Sequence, residues 1–219
     1  MTIPGAAAPH PLEGATPAAE QSSIRGVRWA NPALGFAPEI LLHAQGRGLG
    51  LKAAIFDVDG VLTDGRLFIG EAGEAFKAFH VLDGHGLKLL AAAGIQPLIV
   101  SGRESAALRR RVADLGLVHA RYGASDKLPV AEALLGEIGI DWDDTAVMGD
   151  DWPDLPLFEC AAFACAPPDA HVEVRARAHY VTSARGGHGA VRECCDLLLV
   201  AAGRYAGLLA GQLTTLDAR

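Results

Sequence analysis

The sequence predicts an α/β fold: a Rossmann-like doubly wound parallel sheet with helices on both faces. Two observations carry the prediction. From Leu51 onward, short apolar runs alternate with longer segments of helical period. The residues with evident chemistry fall just after those runs, at Asp57, Ser101 and Asp150. Ligands of open α/β sheets bind outside the carboxyl ends of the strands, so the three positions converge on one crevice.

Taken in order, residues 1–37 are rich in Ala, Pro, Gly and Ser without a steady period, and read as a flexible extension. Trp29 and Phe36 are candidates to tack its end onto the domain. Residues 38–45 form a short helix that Gly46 stops. Strands are expected over 53–58, 97–100, 118–121, 145–148 and 162–165. Helices are expected over 85–93, 104–115, 126–138, 154–160, 168–176 and 189–202. The segment 66–80 breaks the alternation. Leu67-Phe68-Ile69, a Gly-containing turn at 70–73 and Glu74 to Phe79 read as a β-hairpin beside the crevice. No insertion is long enough for a separate cap domain. The organisation is then an extension (1–37), one domain (38–203) and a C-terminal tail (204–219).

Half of the 219 residues are hydrophobic, enough for a full core. The net charge is −7 and no Lys/Arg cluster appears, which argues against nucleic acid as the main partner. Cys160, Cys165, Cys194 and Cys195 make no CxxC and no zinc-type spacing. Their neighbours are apolar, so they read as buried free thiols suited to a reducing cytoplasm. The first residues lack a signal-peptide pattern, and no apolar run reaches membrane-spanning length, so membrane insertion is not expected.

The densest information lies at Phe56-Asp57-Val58-Asp59-Gly60-Val61-Leu62-Thr63-Asp64-Gly65, after the apolar run Ala53-Ala54-Ile55-Phe56. Buried carboxylates are costly unless paired or bound to a metal. If the strand opens after Asp57, that carboxylate sits at the strand tip and Asp59 swings round on the loop. This arrangement offers a nucleophile and a proton donor around one metal; the bland alternative is a pair of turn carboxylates capping Gly60. Ser101-Gly102-Arg103 follows a strand where a helix begins, a natural anion site, although Ser101 also suits an ordinary N-cap. Lys127 and Arg103 both sit near helix starts, unfavourable for cations without a compensating anion. Asp150, Asp151 and Asp154 cluster after another strand, and like charges this close favour a bound cation or a partner Lys.

The Asp-x-Asp-Gly-Val-Leu-Thr-Asp-Gly stretch resembles the first motif of the haloacid dehalogenase superfamily. With Ser101-Gly102-Arg103, Lys127, Gly149-Asp150-Asp151-Trp152-Pro153-Asp154 and Gly186-Gly187-His188-Gly189-Ala190-Val191-Arg192-Glu193, it is similar to one subfamily, the capless 3-deoxy-D-manno-octulosonate 8-phosphate phosphatases, over roughly residues 50 to 202. The resemblance implies a Mg²⁺-dependent phosphomonoesterase acting on a small phosphorylated sugar acid for lipopolysaccharide precursor synthesis. Asp57 is then the nucleophile that becomes an aspartyl phosphate, and Asp59 the acid and base. Ser101 and Lys127 hold the phosphoryl group, and Asp154 orients Lys127. Asp57, the Asp59 carbonyl and Asp150 bind the metal, with Asp151 on a metal-bound water. His80, Val81, Leu82, Asp83 and Gly84 form a loop against the sugar, with Gly102, Arg103, Lys88 and Arg111 as further substrate contacts, Lys88 and Arg111 in cis or from a neighbouring subunit of a homotetramer. The Gly186–Glu193 segment shapes the pocket or a subunit contact.

Family members often carry a polar or basic residue where this chain has Leu82 and Arg where it has Lys88. Lys lacks the fixed fork of Arg, so carboxylate recognition is looser. This keeps two alternatives in play: the same chemistry on a nine-carbon sialic-type sugar phosphate or a phenyl phosphate, and a non-catalytic scaffold of the same fold.

Overall fold

The computed structural model describes residues 34–47, 50–71 and 73–214, together with the paired segments β1 (Ser23–Ile24) and β2 (Val27–Arg28). Met1–Gly35 and Phe36–Arg219 are separate compact units. Within the first, β1 and β2 pair antiparallel; Trp29 and the other residues of 1–33 outside these two strands lie outside the described residues.

The second unit is built on six parallel strands: β3 (Ala53–Phe56), β6 (Gln96–Val100), β7 (His119–Arg121), β8 (Thr145–Met148), β9 (Phe163–Ala166) and β10 (Tyr180–Val181). Their order is β10-β9-β8-β3-β6-β7, which puts β3 at the centre. β3, β6, β8 and β9 are buried on both faces and read as continuous apolar runs, which is why they stood out in the sequence, whereas the two-residue β10 was not among the expected strands. Alternate residues feed two separate cores. Phe56, Ile99, Met148 and Phe163 meet α2 (Val81–Ala92), α3 (Ala106–Leu115) and α7 (Ala190–Ala201) on one side. Ile55, Leu98, Val100 and Val147 meet α4 (Lys127–Ile138), α5 (Leu155–Cys160) and α6 (Val172–Arg175) on the other.

β4 (Phe68–Gly70) and β5 (Gly73–Phe76) form the expected hairpin, with the Phe68 and Phe76 rings stacked at 4.4 Å. Four expectations shift. Ser105, not a residue of the Ser101 loop, caps α3, so this helix begins at Ala106. α2 begins at Val81, because Val81–Gly84 is its first turn and not a free loop. The helix expected over 168–176 is only Val172–Arg175. The segment read as a tail carries α8 (Tyr205–Thr214). The short α1 (Pro38–His43) precedes β3, and Phe36 beside it packs edge-on against Tyr180 at 6.0 Å. All four cysteines are free. No single described helix is long and apolar enough to cross a membrane.

Candidate active site

The carboxyl end of the sheet opens into a cleft of about 310 Å³ whose wall includes Asp57, Asp59, Ser101, Lys127 and Asp150. Four strand ends deliver them: Asp57 and Asp59 follow β3, Ser101 follows β6, Lys127 opens the helix after β7, and Asp150 follows β8. The Asp57 N–H still donates to Met148 O (3.0 Å), so the β3–β8 ladder runs up to it. The chain then turns: Val61 and Thr63 both donate to Val58 O, and Gly60 adopts φ +91°. Gly60 is required here for a second reason. A Cβ at this position would stand 2.1 Å from Asp150 Oδ2, so only glycine lets the Asp150 carboxylate lie against the turn. Gly149 is constrained likewise, since its Cβ would meet the Asp154 Cγ at 2.4 Å.

Lys127, the first residue of α4, is buried, and its Nζ lies 2.8 Å from Asp57 Oδ1 and 2.6 Å from Asp154 Oδ1. The other Asp154 oxygen accepts from the N–H groups of Asp150 (3.1 Å) and Asp151 (3.3 Å), so Asp154 ties the lysine to the loop after β8. Burial depresses a lysine, but Asp57 and Asp154 outweigh it and hold Lys127 above its usual range. Burial and the charge of Asp154, against the pull of Lys127, push Asp57 up to about 6. Burial, then Asp57 and Asp154, push Asp150 up to about 8. Carboxylate oxygens of Asp57, Asp150 and Asp154 lie within 4.8 Å of one another. Three carboxylates against one lysine leave an uncompensated negative charge, and the donors are all hard oxygens, so the site fits a hard divalent cation. Asp154 is engaged by Lys127 and two amides, which leaves Asp57 and Asp150 with the freest oxygens.

Ser101 is buried at the end of β6; its N–H donates to Arg121 O (3.0 Å), and its Oγ accepts from the Arg103 N–H (3.2 Å). Gly102, Arg103 and Asp151 also reach the cleft wall. Asp151 stands apart from the acidic cluster: its Oδ1 accepts from the Trp152 N–H (2.8 Å), capping the 3-10 turn Trp152–Asp154. Asp59 pairs with Lys77, a residue sequence reasoning did not single out. Nothing in the local sequence marks this lysine, since its partner lies 18 residues away across a turn.

The substrate loop is placed differently. His80, Val81, Leu82, Asp83, Gly84, Lys88 and Arg111 are not on the cleft wall of this chain. Asp83 is buried and accepts from the N–H groups of Gly189 (3.3 Å) and Arg192 (2.8 Å), capping α7 across the helix pair. Arg111 donates to His80 O (3.2 Å) and packs over Gly84, where a Cβ would meet its Nη2 at 2.3 Å. Val81, Leu82 and Lys88 are exposed on α2. The Gly186–Gly187 pair packs against the Asp59–Asp64 turn: the Gly187 N–H donates to Val61 O (2.9 Å).

Comparison with known proteins agrees with this geometry. Residues 122–193 match the model of a haloacid dehalogenase-like hydrolase family. The chain is 41% identical to the 3-deoxy-D-manno-octulosonate 8-phosphate phosphatase of Salmonella typhi over 162 residues, covering 74% of this chain and 86% of that protein. It is 42% identical to the protein of the same name from Escherichia coli strain K12 over 154 residues, 70% and 82% of the two chains. Among solved structures, it superposes with a TM-score of 0.74 at 38% identity on a Moraxella catarrhalis 3-deoxy-D-manno-octulosonate 8-phosphate phosphatase, covering 79% of this chain and 97% of the other; that structure holds magnesium, phosphate and the sugar acid.

Proposed function

Since the chain belongs to the 3-deoxy-D-manno-octulosonate 8-phosphate phosphatase family of haloacid dehalogenase-like hydrolases, we propose that it hydrolyses that phosphomonoester to the free sugar acid and phosphate. The observation that carries the reading is Lys127 held between Asp57 and Asp154, with Asp150 against the same carboxylates. A scaffold gains nothing from burying such a cluster, whose desolvation is expensive.

In this reading Asp57 attacks phosphorus and the bond to the sugar oxygen breaks. Asp59 protonates that departing oxygen, then takes a proton from the water that cleaves the aspartyl phosphate. Ser101 Oγ and the Lys127 ammonium hold phosphoryl oxygens, and Lys127 also keeps Asp57 oriented. Asp57, Asp150 and the Asp59 carbonyl would hold Mg²⁺, with Asp151 reaching it through water. When bound, the cation offsets the repulsion between carboxylates and phosphate.

Arg103 stands on the cleft wall of this chain, whereas His80, Val81, Leu82, Lys88 and Arg111 lie off it and would reach the sugar only from a second copy. We propose a homotetramer on that ground and, separately, a cytoplasmic location. The hairpin supports the assembly, because Leu67, Ile69 and Phe76 leave its apolar surface exposed beside the cleft. Light scattering of the purified protein tests the assembly.

The activity is tested by phosphate release from 3-deoxy-D-manno-octulosonate 8-phosphate with and without Mg²⁺, with Asp57→Asn as control. Fast, metal-dependent release abolished by the substitution is the expected result. Preference for a nine-carbon sugar phosphate or an aryl phosphate in the same panel would move the substrate and leave the chemistry.

A further inference from the structure

We propose that Lys77 is a positioning residue for Asp59: it fixes one carboxylate oxygen so that the other alone exchanges protons with the sugar oxygen and with water. The inference rests on the reading of Asp59 as acid and base.

Lys77 directly follows β5, on a hairpin whose Ile69 and Phe76 are exposed, yet its side chain is only 1% exposed. An ammonium is costly to bury unless it is paired. Its Nζ bonds Asp59 Oδ1 and lies 3.1 Å from Glu74 Oε2. Asp59 Oδ2, by contrast, is buried and has no hydrogen-bond partner among the described residues. The cation beside it is Arg103, whose Nε stands 3.6 Å away, beyond hydrogen-bonding distance. The two oxygens of one carboxylate are thus made unequal: Oδ1 is tethered by Lys77, and Oδ2 keeps an unfilled acceptor beside Arg103, the side chain that this reading assigns to the substrate.

Glu74 supports the tether from the far side. It accepts from Arg103 Nη2 at 3.3 Å as well as pairing with Lys77. Burial pushes its carboxyl up, but hydrogen bonds from Ser105, Lys77 and Arg103 outweigh this and hold it below the usual range, so it remains an anion for the lysine. Both anchors lie on the hairpin, at Glu74 and Lys77. The hairpin therefore orients the group that moves the proton in both half-reactions. In the first, the Asp57–phosphorus bond forms, the bond from phosphorus to the sugar oxygen breaks, and the proton on Asp59 Oδ2 goes to that oxygen. In the second, Oδ2 takes a proton from water as the water oxygen bonds phosphorus and the Asp57–phosphorus bond breaks. A carboxylate free to swing would misplace Oδ2, and small misplacements of a catalytic group cost large factors in rate.

A lysine that only pinned the hairpin would show no preference for leaving group, which gives the test. An alkoxide needs a proton to leave and a dinitrophenolate does not. Metal-replete, full-length Lys77→Met is compared with Asp59→Asn on the sugar phosphate and, by stopped flow, on dinitrophenyl phosphate. For Lys77→Met, kcat on the sugar phosphate is expected to fall about 10²-fold, the lower range for loss of general acid–base catalysis. KM should stay within roughly threefold, because ground-state binding is untouched. On the aryl ester, a burst of dinitrophenolate at the wild-type rate should precede a slow steady state, because only hydrolysis of the aspartyl phosphate then needs Asp59. Asp59→Asn should show the same pattern in stronger form.

Equal slowing of the sugar-phosphate reaction and of the aryl burst, or no slowing, overturns the positioning role while leaving Asp59 in place. An Asp59→Asn variant that turns over the sugar phosphate normally removes the reading of Asp59, and this inference with it. If Lys77→Met does not fold, Glu74→Gln decides, since it loosens the tether and keeps the lysine. It should give the same leaving-group-dependent pattern in milder form, and a uniform or absent effect there overturns the proposal.

Discussion

Gly186 sits so close to Gly60 that a Cβ on Gly186 would lie 1.9 Å from the Gly60 carbonyl oxygen. The contact is backbone against backbone, so no side-chain rotation relieves it. Gly60 in turn lies against the Asp150 carboxylate. The glycine pair near the end of the chain therefore buttresses the turn that carries Asp59 and links it to the acid after β8. Gly186→Ala is expected to cost about 1–3 kcal/mol, the range for forced overpacking. It should also lower kcat, because the turn must move to admit the methyl group. Urea unfolding and initial rates on the same sample check both effects, and unchanged stability would show that the turn yields freely.

Asp83 caps α7 in place of Gly189, which occupies the N-cap position at φ +106° without a side chain. Asp83→Ala should destabilise the protein by about 0.5–2 kcal/mol, the range for a lost cap. Asp83→Asn should lose less, since it retains an acceptor. The two also differ in pH dependence. Burial raises the Asp83 carboxyl above its ordinary value of 3.8 and outweighs the N–H groups of Arg192 and Gly189 that lower it. The folded protein thus binds this proton more tightly than the unfolded chain does. That contribution is complete below 3.8 and is lost as pH rises through the folded value. The stability of the wild type relative to Asp83→Asn should therefore improve on acidification, as measured by chemical unfolding across that window.

The fold was legible because its central strands are short and apolar, and because the chemistry-bearing residues follow them. Ala53–Phe56 leading into Asp57 is the clearest case. Two residues escaped sequence reasoning because their partners come from elsewhere in the chain. Asp83 reads as part of a polar loop until α7, more than a hundred residues on, is brought to it. Lys77 looks like any lysine on an exposed hairpin until the turn at Gly60 brings Asp59 to it. β10 has only two residues, too few for a periodic signal. α8 carries Gly207 and Gly211, poor helix formers that weaken its helical signal in the sequence.

Lys127→Met should separate stability from catalysis. The lysine bridges two buried carboxylates at 2.8 and 2.6 Å, and removing one partner of a buried ion pair costs up to about 3–5 kcal/mol. The loss should be largest at neutral pH without metal and should shrink on acidification, as the stranded carboxyls take up protons. If Lys127 also holds a phosphoryl oxygen, kcat should fall by about 10²–10³-fold, the effect of deleting one preorganised donor. A variant with lowered stability and wild-type kcat would restrict Lys127 to the structural role.

Asp150→Asn is expected to act with opposite sign on stability in two conditions. Without metal, burial and then the charges of Asp57 and Asp154 push the Asp150 carboxyl up to about 8, so folding at neutral pH costs it either a buried charge or the uptake of a proton. A neutral amide carries neither cost, so metal-free Asp150→Asn should be as stable as the wild type or more so. With Mg²⁺ the order should reverse. A cation that binds only the folded protein stabilises it by about 2.7 kcal/mol at a hundredfold excess over Kd, and the wild type should show that gain. Asp150→Asn, lacking one of the two carboxylates with the freest oxygens, should show little of it. Thermal melts of both proteins across a magnesium titration read the crossing directly. Parallel curves would mean that Asp150 does not hold the metal, and that the crowding of Asp57, Asp150 and Asp154 is answered by Lys127 and protons alone.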